Sequence, residues 1–515
     1  MLPGLPARGP DRGRSGCACS SLTTPRGFGF PPDPCRNEVV SGSRATRVAV
    51  IGAGISGLAA AYEITKRFRE SNRTLALQVF EASDRTGGVI QTEQAGELTL
   101  ELGPDSIVTD KPWAAELCRE IGLGDDLIPT RQSGGGASIA RGDALLPVPD
   151  GLHLMAPSRL MPFATSGLLS VAGKLRVALE PFIPRAQGNA DESLADFVRR
   201  RLGKEALERI AQPMVGGIYT ADPEKLSLRA TMPRFIEMEQ RQGSLIRAMV
   251  KARRAGTLSA RGPRYDLFVS LKNGLGALPE RLAELLPTGA LQPGCAVRSV
   301  RREDPGWEIE VEDSSGPRRE SFDGVIVSVP AFAAASMLAE QDTSLARELE
   351  AIEYASSAIV NLAYRPDQIT REISGFGFVV PAIEGRATLA CTFMNRKWEG
   401  RAPEETVLLR AFVGGALAPN NVDLEDGVLV DAVTRDLAEL VGVRGEPRMS
   451  SVTRWRQSMP QYHVGHLPRV DRIEAAVSAW QGLELAGNAY RGTGIPDCVR
   501  SGRQAAENLF AQLPR

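Results

Sequence analysis

The sequence predicts an α/β fold on a parallel sheet that is interrupted and later resumed, and three stretches predict it. Val48-Ala49-Val50-Ile51 is an unbroken β-forming apolar run, the texture of a parallel strand buried on both faces, with a helical pattern and a second apolar run behind it. Far downstream, Gly324 to Pro330 (GVIVSVP) has the same texture and leads into a helix. Near the C-terminus, Gly482 to Ala486 reads as a strand, followed by a glycine-rich turn and a helix.

Within the first stretch, Gly52, Gly54 and Gly57 stand in G-x-G-x-x-G spacing, helix formers run from Leu58 to Arg67, and Leu75 to Phe80 ends on Glu81. The first glycine allows a tight turn, the second lets backbone approach a pyrophosphate, and the third lets helix and strand pack closely. The helix N-terminus offers unpaired N–H groups to that pyrophosphate, and Glu81 can accept hydrogen bonds from a ribose diol. A bare βα turn is the alternative, but strand, glycines, helix, strand and acid in this order argue for a dinucleotide. Arg85-Thr86-Gly87-Gly88 then forms a second tight turn carrying a cation. Acid followed by R-x-G-G resembles the FAD-binding signature of the flavin amine oxidase superfamily, so FAD is expected over NAD.

The 515 residues exceed one hydrophobic core. A formal charge of −1 gives no reason to expect nucleic-acid binding. Seven scattered cysteines (17, 19, 35, 118, 295, 391, 498) suggest neither zinc nor a disulfide framework, so a reducing, cytoplasmic setting is expected. Three histidines (153, 463, 466) make a histidine-based metal centre improbable. No apolar run is long enough to span a membrane.

The expected organisation follows the chain. Residues 1–45, with seven prolines and few apolar residues, read as a disordered extension. Their Arg/Ser bias fits a transit peptide, but a functionless tail from an upstream start codon is preferred. Residues 46–112, 266–330 and 450–515 are expected to form a discontinuous Rossmann-like FAD-binding domain. It contains a hairpin of Val89–Thr92 with Leu98–Glu101, and two strands across Val297–Val311. Residues 113–150 and 331–449 are expected to form an inserted α+β substrate-binding domain. Its parts are a helix over 112–123, a hairpin over 138–149, strands at 359–364, 377–380, 389–393 and 407–413, and a helix over 423–441. Residues 151–265 form a helical subdomain. Its apolar and basic part, Leu152 to Pro184, fits a membrane surface, a channel for a greasy ligand, or plain packing.

Several separate stretches resemble the porphyrinogen oxidases of haem biosynthesis, a branch of that superfamily: GAGISGLAAAYEI with EASDRTGG, Glu101-Leu-Gly-Pro-Asp-Ser106, Gln212 to Asp222 (QPMVGGIYTAD) with Leu226-Ser227, Gln461 to His466 (QYHVGH), and GNAYRGTGIPDCVRSG. The resemblance covers nearly everything from residue 46 onward. It implies oxidation of protoporphyrinogen IX to protoporphyrin IX, in three two-electron turnovers, with O2 as acceptor giving hydrogen peroxide. Coproporphyrinogen III is the alternative substrate, and an amine oxidase or desaturase the second alternative. Peripheral membrane contact and a homodimer stay open.

Carried over residue by residue, the family's FAD contacts fall on Gly52, Ala53, Gly54, Ile55, Ser56, Gly57, Glu81, Ala82, Arg85 and Gly88. They continue at Gly103, Pro104, Asp105, Ser106, Val297 and Trp455, and at Thr493, Gly494 and Ile495 beside the isoalloxazine. The helix after Gly494 would aim its N–H groups at the flavin pyrimidine. For the macrocycle, Phe378 and Trp398 are expected as flanking aromatics, with core packing the alternative at both. Positioning and desolvation carry the catalysis, so no acid or base is assigned, and His463 and His466 are read as turn-stabilising. The eukaryotic enzymes place a propionate-holding arginine where this chain has Asp105. A carboxylate cannot take that part, so Lys111 and Arg141 are the expected anchors.

Overall fold

Five short parallel strands open the structure, a computed structural model that describes residues 44–131, 136–188, 190–256 and 268–514. They are β1 (Thr46–Ile51), β2 (Leu75–Phe80), β3 (Leu291–Gln292), β4 (Gly324–Val327) and β5 (Leu483–Leu485), in the order β3-β2-β1-β4-β5. Val48, Ala49 and Val50 are fully buried, as an apolar run between two helical layers must be. The order reverses at β1, which pairs with β2 on one side and β4 on the other. In such sheets ligands bind at the carboxyl ends of the strands flanking the reversal. Helix α1 (Ile55–Glu70) returns the chain from β1 to β2. Helix α2 (Ile495–Gln512) follows β5 and lies along α1 so closely that a Cβ on Gly502 would collide with the Ser56 carbonyl.

Two long excursions leave this sheet, between β2 and β3 and between β4 and β5, and they share a second sheet. Its seven strands run in the order Met449–Pro460, Tyr354–Tyr364, Val407–Gly414, Thr388–Phe393, Gly377–Val379, Ala137–Arg141, Ala144–Pro147. The hairpin of the first excursion joins the second where Ala137–Ile139 pairs in parallel with Gly377–Val379. Helix Asp426–Val441 covers one face, burying Leu429, Val433, Leu437 and Leu440.

Between Leu160 and Arg254 the first excursion is helical and packs around Phe197, Phe235, Leu245 and Met249. Inside it the fully buried Arg201 pairs with Glu180 and Glu239, and Glu180 also accepts from the N–H groups of Leu245 and Ile246. Outside, Val171, Leu175, Leu179 and Phe182 are 74, 63, 56 and 77% exposed. Their spacing puts one apolar stripe on the solvent side of helix Val171–Ala178 and the turn after it. Among the described residues no helix is long and apolar enough to cross a membrane.

Several expected elements lie elsewhere. The first hairpin starts at Thr92 and not Val89, because Gly87 and Gly88 at φ of +98° and +58° keep the chain turning through Ile90. Residues 296–322 form three strands, the third being Gly316–Phe322. The domain boundary expected at residue 450 falls within strand Met449–Pro460, which pairs with Tyr354–Ala363 in the second sheet. The expected extension over 1–45 falls almost wholly outside the described residues.

Candidate cofactor site and active site

Beyond β1 the chain turns at Gly52, whose φ of +96° disfavours any side chain and whose N–H donates to the Phe80 carbonyl at 2.8 Å. A Cβ on Gly57 would collide with the Gly52 carbonyl and the Ser328 hydroxyl, so α1 can sit this close to β1 and β4 only with glycine there. Gly54 differs, because a Cβ there would meet nothing within 4 Å. Its backbone borders open space, which is what a pyrophosphate requires. No side chain caps this end of α1 and no acid lies in its first turn, so the positive end of the helix faces that space. Ile55 and Ser56 are its first two residues, and both are buried.

Glu81, just past β2, accepts from the Ala53 N–H at 2.8 Å, and from the Ser83 N–H and hydroxyl at 3.0 and 2.7 Å. A carboxylate offers roughly four lone-pair sites, so Glu81 retains capacity for a ribose diol. The Cys295 N–H donates to the Glu81 carbonyl, which brings the buried Val297 to this end, beside the exposed Ala82. The second glycine turn docks on the first: Gly87 N–H donates to the Ala53 carbonyl at 2.8 Å, and Gly54 pairs with Gly87. Arg85 donates to the Gly88 carbonyl at 2.6 Å and lies 5.5 Å from the Trp455 ring centre.

From the second sheet, Arg410 donates to the carbonyls of Glu101 and Gly103, and Trp455 Nε1 donates to that of Leu102 at 2.6 Å. The loop through Gly103, Pro104 and Ser106 is thereby fixed beside Arg85. Asp105 turns inward, where Lys397 Nζ (2.8 Å), Trp398 Nε1 (3.2 Å) and the Ser106 hydroxyl (2.7 Å) donate to it and Arg410 lies 3.9 Å away. Burial alone would raise its pKa, but Lys397 and Arg410 hold the carboxyl well below the usual carboxylate range.

At the other end, the turn Gly487–Gly492 is strapped by Gln461–His466. The Tyr462 hydroxyl donates to the Asn488 carbonyl at 2.7 Å and accepts from the Gly492 N–H at 2.8 Å. His466 stacks on Tyr462 at 3.8 Å, and its Nε2 contacts the Tyr490 carbonyl at 2.8 Å, so Nε2 carries the proton. The strap continues into the helical region, since the Ser227 N–H donates to the Tyr462 carbonyl. Beyond the turn come Thr493, then Gly494 as N-cap without a side-chain cap, then Ile495 as the first residue of α2, with Pro496 second. Two uncapped helix tips thus bracket the carboxyl ends of the parallel strands. Residues 55–510 match the family described as flavin containing amine oxidoreductase. The chain belongs to that family.

Its relatives include the coproporphyrinogen III oxidase of Bacillus subtilis, 37% identical over 90% of this chain and 98% of that protein. The chloroplastic protoporphyrinogen oxidase 1 of Arabidopsis thaliana is 29% identical over 90% and 87%. A crystal structure of a candidate protoporphyrinogen oxidase from Exiguobacterium sp. 255-15 superposes with a TM-score of 0.79 at 32% identity, over 90% of this chain and 99% of that one. As a flavin-containing amine oxidoreductase the chain is an FAD-dependent enzyme, and the open backbone at Gly54, the two helix tips and Glu81 fit FAD.

The four expected substrate contacts each have a partner within the protein. Phe378 is 2% exposed and packs on Phe393, facing the core beneath helix Asp426–Val441. Trp398 is fully buried among Leu100, Leu102, Met394 and Leu408, with its N–H spent on Asp105. At both positions the side chain packs in an apolar core, as the alternative reading had it. Lys111 Nζ is 2.6 Å from Asp497 Oδ2, and Arg141 donates to the Gly167 carbonyl. A cation that sequence reasoning did not single out, Arg234, stands near the start of helix Pro233–Gln242. Its side chain is exposed, and among the described residues it makes no hydrogen bond or ion pair. Surrounding protein still desolvates it enough to lower its pKa, and Asp110, Tyr219 and His153 lie within reach of its charge. The guanidinium lies 5.0 Å from the Phe235 ring centre.

Proposed function

We propose that this enzyme oxidises coproporphyrinogen III to coproporphyrin III. The observation that carries the reading is the likeness to the Bacillus subtilis coproporphyrinogen III oxidase across nearly all of that protein's length. The plant protoporphyrinogen oxidases are more distant, at 29% for the Arabidopsis enzyme. The inward-turned Asp105 supports it, since the position that would hold a propionate in the eukaryotic branch is occupied here by a buried ion cluster. FAD held at this site would supply the two-electron redox chemistry, with O2 as the terminal acceptor over three turnovers. Six electrons and six protons leave the macrocycle, and three O2 become three H2O2.

The chain's own residues bind, orient and exclude water. Arg410, Lys397 and Trp455 fix the 101–106 loop, and the Tyr462 strap fixes the turn before α2. With four carboxylates on the substrate, Arg234 is the residue we assign to hold one of them. The exposed stripe from Val171 to Phe182 is the face we assign to peripheral contact with an anionic lipid surface, in a cytoplasmic setting.

The test follows porphyrin fluorescence in air with each porphyrinogen. Growth with coproporphyrinogen III at a kcat/KM at least about tenfold above that for protoporphyrinogen IX supports the reading. The reverse order would return the assignment to protoporphyrinogen IX, and a flavin spectrum without activity on either would remove both.

A further inference from the structure

Lys111 has a different task from the one its sequence position suggests. Asp497 is the third residue of α2 and only 5% exposed, which puts a carboxylate in the first turn of a helix whose end bears no side-chain cap. An acid there favours the helix but cancels its positive end for any other anion nearby. Here the carboxylate is itself matched. Lys111 Nζ is 2.6 Å from Oδ2, and Arg500 Nη2 is 3.5 Å from Oδ1. The two cations come from different elements: Lys111 precedes helix Trp113–Glu120, whereas Arg500 is one turn along α2 and lies 4.3 Å from the Trp113 ring centre. Room for the carboxylate is made by the turn, since a Cβ on Gly492 would collide with the Asp497 carboxyl group.

Negative charge gathers on the pyrimidine side of a flavin when it takes up two electrons, so the charge balance at a helix tip beside that edge bears on electron affinity. With Lys111 and Arg500 against Asp497, the balance at this tip is positive. With Lys111 removed it falls to zero. We propose that Lys111 acts through Asp497 as a positioning residue that keeps the α2 tip electropositive and so raises the reduction potential of the bound flavin. This rests on the reading that the flavin end of FAD meets the Gly494–Ile495 tip. It does not depend on which porphyrinogen is oxidised.

The experiment uses FAD-loaded full-length protein in an anaerobic dye-coupled reductive titration, with no porphyrinogen present. Lys111→Met is expected to shift the oxidised-to-reduced equilibrium toward oxidised flavin by about tenfold, or roughly 30 mV for a two-electron couple. Asp497→Asn should shift it the opposite way, the double variant should return close to wild type, and Lys111→Arg should stay there. Unchanged potentials in Lys111→Met and Asp497→Asn, with only the melting temperature lowered, would overturn the proposal and leave the pair as a structural tie. If Lys111→Met does not fold, Asp497→Asn and Lys111→Arg decide it: a raised potential in the first with an unmoved one in the second upholds it, and any other pattern sinks it. Wild-type protein that takes up no FAD would instead defeat the cofactor reading. Wild-type flavin with no porphyrinogen oxidation would defeat only the proposed function.

Discussion

At Gly54 an added methyl group would meet nothing within 4 Å, whereas at Gly57 it would collide with the Gly52 carbonyl and the Ser328 hydroxyl. Two substitutions of the same size therefore separate binding from folding. Gly54→Ala should leave the apoprotein within about 1 kcal/mol of wild type, the ordinary cost at an N-cap. It should lower FAD affinity by at least about tenfold, because the methyl occupies the space a pyrophosphate approaches. Gly57→Ala should lose stability first, by roughly 1–3 kcal/mol, because α1 must move off the sheet. Thermal melts of apoprotein paired with flavin-fluorescence titrations measure both, and full FAD affinity in Gly54→Ala would count against the site. Arg234 allows a second test at this scale. If it holds a substrate carboxylate, Arg234→Gln forfeits a charge-assisted hydrogen bond worth roughly 1.5–3 kcal/mol, which is tenfold to a hundredfold in KM. Steady-state kinetics should show KM rising with kcat and the flavin spectrum unchanged. A loss confined to kcat would point away from binding.

The Gln461–His466 strap is an element with a built-in pH dependence. Burial depresses the His466 pKa to about 4, helped by Arg469, Arg491 and His463, while the hydrogen bond to the Tyr490 carbonyl opposes the shift. In the unfolded chain it titrates near 6.5, so between these values the unfolded state binds more protons. Stability from this group is therefore complete above about pH 6.5 and is lost as pH falls toward 4, by on the order of 3 kcal/mol. Denaturant unfolding at several pH values should show the slope in wild type and a flatter profile in His466→Gln, and equal slopes would exclude His466 as its source. How legible each element was depended on its chemistry. β1 announced itself because an apolar run buried on both faces has only one texture, and α2 because Pro496 follows a glycine turn. Gly316–Phe322 was hidden because Pro-Arg-Arg-Glu-Ser alternates charge with no apolar face until Phe322, and Met449–Pro460 because an edge strand carries polar residues on both faces. Phe378 lies on strand Gly377–Val379 and Trp398 just past the short helix Met394–Lys397, and for neither do the letters disclose which way the side chain faces. The strap itself was visible as QYHVGH, but nothing in the letters said that Tyr462 is its hub.

Taken whole, the molecule is close to neutral, with a formal charge of −1, so long-range attraction cannot bring it to an anionic surface. Any such contact has to be local, and the exposed apolar stripe on helix Val171–Ala178 is where it would form. Val171, Leu175, Leu179 and Phe182 recur every three to four residues on the side facing away from the core, while Gly173 and Val177 face inward. Lys174 lies in the same stretch, as do Arg159, paired with Asp150, and Arg185, which donates to the Gln240 carbonyl. Inserting four exposed apolar side chains part-way is worth on the order of 1 kcal/mol each, so the association should be weak and reversible. Sedimentation of the FAD-loaded enzyme should therefore show binding to vesicles containing phosphatidylglycerol and little to pure phosphatidylcholine. Leu175→Glu with Phe182→Glu should abolish it without changing activity on detergent-dispersed substrate, because neither side chain touches the cofactor site. Raised salt should weaken binding without eliminating it, since only part of the attraction is ionic. Failure to pellet with either vesicle, together with dimerisation that the same double substitution disrupts, would assign the stripe to a second copy of the chain instead.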